Sequence, residues 1–130
     1  MPKVRLALLS DEIDPDEDHD TYSIMRIFDR KTSAIFPVKK NFVVSVFWDV
    51  LGIENFDQSF FVSDKEGTIL RRTEPLRVVL GKPQEITFVR FSNVLFYVPG
   101  IYTVAVLVNG ERVYQVPFVI EQLNLHDMAL

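Results

Sequence analysis

The residues with the clearest capacity for chemistry are seven acids gathered within residues 11–20. They are Asp11, Glu12, Asp14, Asp16, Glu17, Asp18 and Asp20. Four of the aspartates alternate along the chain, as carboxylate ligands do at the start of a calcium-binding EF-hand loop. That loop also needs glycine at its sixth position and a bidentate glutamate at its twelfth, where this sequence has His19 and Met25. The spacing predicts a solvated acidic loop rather than a metal site.

The other residues that could act in catalysis lack the partners that catalysis needs. His19 and His126 are the two histidines, and they fall in the acidic loop and in the C-terminal tail. A general base near neutrality needs a positioned imidazole or a perturbed carboxylate. No serine stands in a Gly-x-Ser-x-Gly motif, and the sequence has no glycine-rich phosphate loop. We therefore expect no catalytic residue, no bound cofactor and no enzymatic activity.

The composition predicts one cytoplasmic domain that binds neither nucleic acid nor membranes. The chain has 130 residues, 48% of them hydrophobic, which suffices for one core without disulfides. It has no cysteine, as is typical of a reducing compartment. The net charge is −4. Outside residues 11–20 the chain has 14 basic and 11 acidic residues, and the basic residues do not form the cluster that is typical of nucleic-acid binding. The N-terminal apolar stretch is too short for a membrane helix or a signal peptide.

The elements that would position these residues are strands. Short runs rich in β-branched and aromatic residues recur between prolines and glycines, and no window keeps a helical period. The predicted strands are Val4–Leu9, Tyr22–Phe28, Phe42–Val50, Gln58–Ser63, Thr68–Arg71, Leu76–Leu80, Glu85–Phe91, Ile101–Val108 and Arg112–Ile120. Two basic pairs, Lys39-Lys40 and Arg71-Arg72, are typical of gatekeepers beside hydrophobic strands. The pattern predicts a single antiparallel β-sandwich over residues 1–122, with an acidic loop at 11–20 and a flexible tail at 123–130.

The closing hairpin gives the clearest prediction of strand pairing. Alternation puts Tyr102, Val104, Val106 and Val108 on one face of its first strand, and Tyr114, Val116, Phe118 and Ile120 on one face of its second. A two-residue turn at Asn109-Gly110 would pair Val106 with Val113 and separate these two sets. Because burial of one face fixes the register, we expect a three-residue loop with a bulge at Gly110, pairing Val104 with Tyr114.

The order of the elements resembles an immunoglobulin-like sandwich. Trp48 on the third predicted strand is similar to the buried tryptophan of that family, and Pro99-Gly100-Ile101-Tyr102 resembles its tyrosine corner. The cysteine pair of antibody domains is absent, so the resemblance implies the architecture alone. A jelly roll is the alternative architecture.

A second resemblance covers most of the chain. The segments 7–11 and 22–30, Phe36-Pro37 and the closing hairpin resemble a small family of uncharacterised bacterial single-domain proteins. The chain departs from that family at Met25-Arg26, where a small residue is usual, and in its long acidic insertion. The family has no established activity, so the resemblance implies no catalytic residue.

These observations favour a non-catalytic interaction module that docks through an apolar sheet face. In an immunoglobulin-like order, the strand at 42–50 and the closing hairpin would be neighbours in one sheet. Their outward residues would then form one apolar patch for a protein partner or a second copy. That patch comprises Val43, Phe47, Ile101, Ala105, Leu107, Val113, Pro117 and Val119. The alternative is a sandwich that binds carbohydrate or calcium through the acidic loop and an end-loop aromatic such as Tyr97.

Overall fold

The computed structural model describes residues 2–16, 18–19, 21–82 and 84–124 of the chain. Within these residues the chain forms ten strands and no helix. The strands are β1 (Lys3–Asp16), β2 (Thr21–Ile27), β3 (Arg30–Ser33), β4 (Val38–Asp49), β5 (Glu54–Asp64), β6 (Ile69–Arg72), β7 (Leu76–Leu80), β8 (Gln84–Phe96), β9 (Gly100–Val108) and β10 (Glu111–Gln122). This confirms the predicted all-β class. Consequently, the described part of the chain contains no helix long and apolar enough to cross a membrane.

The strands form two sheets. Sheet A has the order β2-β1-β4-β8, and sheet B has the order β3-β10-β9-β5-β6, with β7 pairing beside β6 on the same side of β5. The pairs are antiparallel except that of β3 with β10, which is parallel. Side chains from both sheets meet in one core, where Phe42 of β4 lies 5.7 Å from Phe118 of β10 between ring centroids. The two sheets therefore pack face to face as a β-sandwich.

Alternating apolar residues explain the core. Phe42, Val44, Val46 and Trp48 of β4 are all buried, as their period of two requires. Trp48 lies 5.0 Å from Phe56 of β5, again across the sandwich. Its indole Nε1 donates a hydrogen bond to Thr87 Oγ1 at 2.8 Å, so the polar atom of this buried ring is satisfied.

The predicted place of β4 is wrong. It lies in sheet A between β1 and β8, whereas the closing hairpin of β9 and β10 lies in sheet B. The error arises because β2 pairs with β1 as an added hairpin. The sequence-based prediction counted β1 and β2 as two successive core strands. It therefore assigned Trp48 to the third core strand of the sandwich, whereas β4 is the second.

The two apolar sets of the closing hairpin share one face, as predicted, but the turn and the register differ from the prediction. Val108 pairs with Glu111 across a two-residue turn in which Asn109 and Gly110 both have positive φ, +50° and +82°. The register then shifts between Arg112 and Tyr114, so that Tyr114 pairs with Val106. The predicted three-residue loop is therefore wrong. A β-bulge within β10 supplies the extra residue, and the two apolar sets do share the inner face.

The connection from β8 to β9 is fixed by one hydrogen bond. The buried Tyr102 hydroxyl donates to the Val98 carbonyl oxygen, four residues upstream. Burial raises the pKa of Tyr102 above its ordinary value of 10.0, and the bond to Val98 opposes that shift. The hydroxyl is therefore a structural hydrogen-bond donor. It links the start of β9 to the preceding turn, the segment that resembles a tyrosine corner.

Candidate functional site

The predicted interaction patch does not exist as one surface. Val43 and Phe47 project from the outer face of sheet A, since the alternate residues of β4 fill the core. The three predicted residues of β9 and the three of β10 belong to sheet B on the other side of the sandwich. The prediction of a contiguous patch is wrong because it placed β4 beside the hairpin.

A hairpin arm covers the part of the patch on sheet A. We define the arm as residues 11–16 of β1 together with β2. Beyond Ser10, β1 leaves β4 and pairs with β2 alone, and the arm lies over the outer face of sheet A. The Tyr22 ring contacts Phe88 of β8 edge-on at 6.3 Å, and Ile13 is 1% exposed. Val43 is 2% exposed as a result, so it is not available to a partner.

Acidic residues hold the arm in place. The prediction of an acidic loop at 11–20 is wrong for residues 11–16, which lie in β1, while Glu17 and Asp20 lie outside the described residues. Asp11 and Glu12 lie in β1 and bind cations from other strands. Asp11 accepts hydrogen bonds from Lys31 and from Arg26, the latter at 2.7 Å. Glu12 accepts a bond of 3.0 Å from Arg90 of β8. Arg90 also donates to the Ile13 carbonyl oxygen at 2.9 Å, which fastens the arm to sheet A.

These contacts change the pKa values of the two carboxyl groups. The hydrogen bond from Lys31, reinforced by Arg26, holds the pKa of Asp11 below its ordinary 3.8, although partial burial opposes the shift. The Ile13 backbone amide, followed by Arg90, holds the pKa of Glu12 below its ordinary 4.5. Both groups are ionised near neutrality, and their perturbation reflects attachment of the arm rather than acid–base chemistry.

The alternative ligand site is not assembled. Near the end of the arm, the His19 imidazole Nδ1 lies 2.9 Å from a carboxylate oxygen of Asp16. Among the residues that the structure describes, no three His, Cys, Asp or Glu side chains gather where they could hold a metal ion.

Tyr22 lines a groove with Gln84 at the beginning of β8, whereas Tyr97 follows the end of that strand. Thirteen residues of β8 separate these ends by about 40 Å, so the arm and Tyr97 cannot share one small ligand. His126 and residues 125–130 of the predicted tail lie outside the described residues, whereas Leu123 donates its amide to the Ser33 carbonyl oxygen at 2.9 Å.

The outer face of sheet B has no such cover within the described structure. Its central apolar side chains come from β5, β9 and β10, and they are Phe61, Ile101, Leu107, Pro117 and Val119. Val79 of β7 lies on the same side, at the edge of the sheet. Ile101 is 56% exposed, and Ala105 is fully buried beneath its neighbours. Val113 sits in the bulge of β10 and packs against the core, so it does not belong to this face. Phe61 belongs to it and was missed.

Arginines surround these apolar residues. In the described structure, the positively charged side chains that share their side of sheet B are Arg30, Arg72, Arg77 and Arg112, with no lysine. Arg30 is bridged to Glu121 at 2.6 Å, and Arg77 to Asp57 at 3.2 Å. We call this surface, the five apolar residues with the four arginines, the arginine face. With the two bridged acids, Glu121 and Asp57, counted against the four arginines, two positive charges remain in excess.

The two remaining arginines have no acidic partner among the described residues. Arg112 lies over the Phe61 ring, 5.0 Å from its centroid, and donates to Gln115 at 3.3 Å. Arg72 is exposed and pairs through its backbone with Phe61. Both guanidinium groups can therefore meet carboxylates of another molecule beside an aromatic ring. Sequence reasoning missed them because strand alternation reveals faces only after the strands are assigned to sheets.

Comparisons with known proteins identify the fold alone. No protein-family model matches the sequence, and no curated protein sequence matches it. Among solved structures, the chain is similar to the Pseudomonas fluorescens alkylpurine DNA glycosylase AlkC, bound to DNA containing an abasic site analog. The TM-score is 0.59 and the sequence identity 13%. The match covers 92% of this chain and 30% of the AlkC chain, so this chain spans less than a third of that protein.

Proposed function

We propose that the protein is a non-catalytic interaction module whose arginine face docks on another protein. The observation that carries the proposal is the composition of that face, which combines apolar side chains and one aromatic ring with arginine and without lysine in its described part. The centres of protein interfaces are enriched in aromatic residues and arginine and depleted in lysine. The proposed partner has an apolar centre, and its carboxylates face Arg72 and Arg112.

The size of sheet B supports this proposal. The strands of sheet B contain 45 residues, and with about 3.4 Å per residue and about 4.8 Å between strands they give a face of roughly 730 Å². A stable interface buries about 800 Å² on each partner. The arginine face therefore offers the area of one standard interface, without help from the outer face of sheet A.

The perturbed groups support a non-catalytic role. Lowered pKa values belong to Asp11 and Glu12, whose carboxylates fasten the arm, and the raised pKa of Tyr102 belongs to a buried structural donor. The topology favours an immunoglobulin-like sandwich, with β4 and β8 opposite β5, β9 and β10, and with the Tyr102 corner before β9. A bacterial source and a cytoplasmic location stay predictions from the sequence.

DNA is the other macromolecule to consider, because AlkC was solved with DNA. At 13% identity that similarity carries no binding residue to this chain. The net charge of −4 and the internal ion pairs of Arg30 and Arg77 oppose binding to a phosphate backbone. We therefore propose a protein partner.

The test compares two double charge reversals in the native cell. One is R72E/R112E on the arginine face, and the control is K3E/K39E on exposed lysines of sheet A. We expect one protein to co-purify with the wild type and the control and to be lost from R72E/R112E. With that protein purified, the affinity should fall at least tenfold for R72E/R112E alone. Equal affinities would contradict the proposal, as would salt-sensitive binding of duplex DNA that R72E/R112E abolishes.

A further inference from the structure

The free edges of the two sheets are protected unequally. Edge strands expose unpaired backbone groups, and proteins usually block them with charged side chains or proline. Lys40 donates from Nζ to the Thr32 carbonyl oxygen of β3 at 2.9 Å, and Arg71 donates to the Ser92 and Asn93 carbonyl oxygens of β8 at 3.1 and 3.2 Å. Each basic pair in the sequence thus supplies one gatekeeper for an edge.

The edge of β7 has no such protection in the part of the chain that the structure describes. The strand pairs with β5 on one side, and no side-chain hydrogen bond reaches its backbone from the other. Leu76 and Val79 are 66% and 61% exposed, and Ile53 beside Gly81 is 82% exposed. An open backbone edge with exposed apolar side chains is the surface that accepts another strand.

We propose that β7 of a second copy occupies this edge, antiparallel, so that sheet B continues across a two-fold axis at Val78. In this register Leu76 lies opposite Leu80 of the other copy, and Arg77 lies opposite Val79. No like charges therefore face each other within the strand. A self-complementary patch of this kind closes as a dimer.

The register makes residue 78 the test position. At a two-fold axis Val78 faces itself, and opposite residues in antiparallel strands have Cα atoms about 4.5 or 5.5 Å apart. Both distances permit a disulfide. The two copies of Val79 are diagonal neighbours, about 7–8 Å apart, which a disulfide does not span without movement. Because the chain has no cysteine, one substitution introduces the only thiol.

We expect Val78→Cys to form a disulfide dimer under mild oxidation, and Val79→Cys to remain largely monomeric. The comparison is stringent because Val79 is exposed whereas Val78 is half-buried, so random collisions would favour Val79→Cys. If Val79→Cys crosslinks as fast as Val78→Cys, the proposed register is wrong.

Charge substitutions at Val79 provide an independent measurement on the full chain. Val79→Lys places a like charge opposite Arg77 of the other copy, and Val79→Glu places an opposite charge there. In sedimentation equilibrium we expect wild type to approach twice the chain mass of 15.1 kDa. The dissociation constant should rise at least tenfold for Val79→Lys and fall for Val79→Glu. Ile27→Lys on the arm, with a similar 58% exposure, is the control and should not change it. A wild type that is monomeric at every concentration would overturn the proposal, as would a shift of both Val79 variants in the same direction.

This dimer edge shares Arg77 with the arginine face but includes neither Arg72 nor Arg112, so the two proposals can be tested separately. R72E/R112E should leave the disulfide of Val78→Cys unchanged, so the failure of one proposal does not entail the failure of the other.

Discussion

The packing of the hairpin arm onto sheet A can be measured through Ile13. This residue is 1% exposed and lies in the part of β1 that pairs with β2 alone. Ile13→Ala removes three carbon groups, each worth about 0.8 kcal/mol on burial, which gives about 2.4 kcal/mol. The arm can settle into part of the space, so we expect a total loss of about 2–3 kcal/mol, near the lower end for isoleucine to alanine changes.

Urea unfolding followed by the fluorescence of Trp48, the one tryptophan, is the assay. With a slope of about 1–3 kcal/mol per molar urea, the midpoint should fall by about 1–2 M without a change in slope. Ile27→Ala is the matched control on the same arm, and because Ile27 is 58% exposed it should cost less than about 0.5 kcal/mol. Equal and small losses for both variants would refute the packing of the arm on sheet A.

Three further outcomes follow from the turn, the bulge and the ion pairs. Gly110→Val should destabilise the fold by about 1–2 kcal/mol in urea unfolding, because the φ of Gly110 is +82°. Gly52→Ala is the control and should be neutral, so equal effects of the two variants would contradict the turn. Deleting Val113 should leave a regular hairpin with the same inward residues. The circular dichroism of this variant should stay native and its free energy of unfolding should fall by about 1–2 kcal/mol. An unfolded deletion variant would contradict the bulge. Since folding lowers the pKa values of Asp11 and Glu12, the stability they add is complete above 4.5 and is lost as the pH falls below 3.8 through the lowered values. Thermal unfolding measured from above pH 4.5 to below pH 3.8 should show that loss as a falling midpoint, and a midpoint independent of pH over that whole range would contradict it.

Local patterns in the sequence predicted the strands but not their assignment to sheets. Alternation in β4 identified its buried face correctly, and the positive φ of Gly110 follows from the Asn-Gly turn. The same alternation gives no information on which strands pair across long separations. That is why β4 was placed in the wrong sheet, and why β3, four polar and charged residues held by β10, was missed.

The candidate site was harder to predict for a related reason. The acidic run suggested a loop because seven acids in ten residues normally repel one another. In the structure Lys31 and Arg90, from distant strands, offset that repulsion and hold Asp11 and Glu12 in a strand. Four of the eight predicted interface residues lie on the arginine face, namely Ile101, Leu107, Pro117 and Val119. The arginines of that face could not be predicted, because their position is known only once the strands are assigned to sheets.

Site-specific photo-crosslinking in the native cell tests the central claim most directly. A photoreactive residue replaces Leu107 on the arginine face, and in a second variant it replaces Leu6, which is 43% exposed on sheet A. We expect one protein adduct from position 107 that R72E/R112E abolishes, and no such adduct from position 6. An adduct that forms equally at both positions, or none at position 107, would contradict docking through the arginine face.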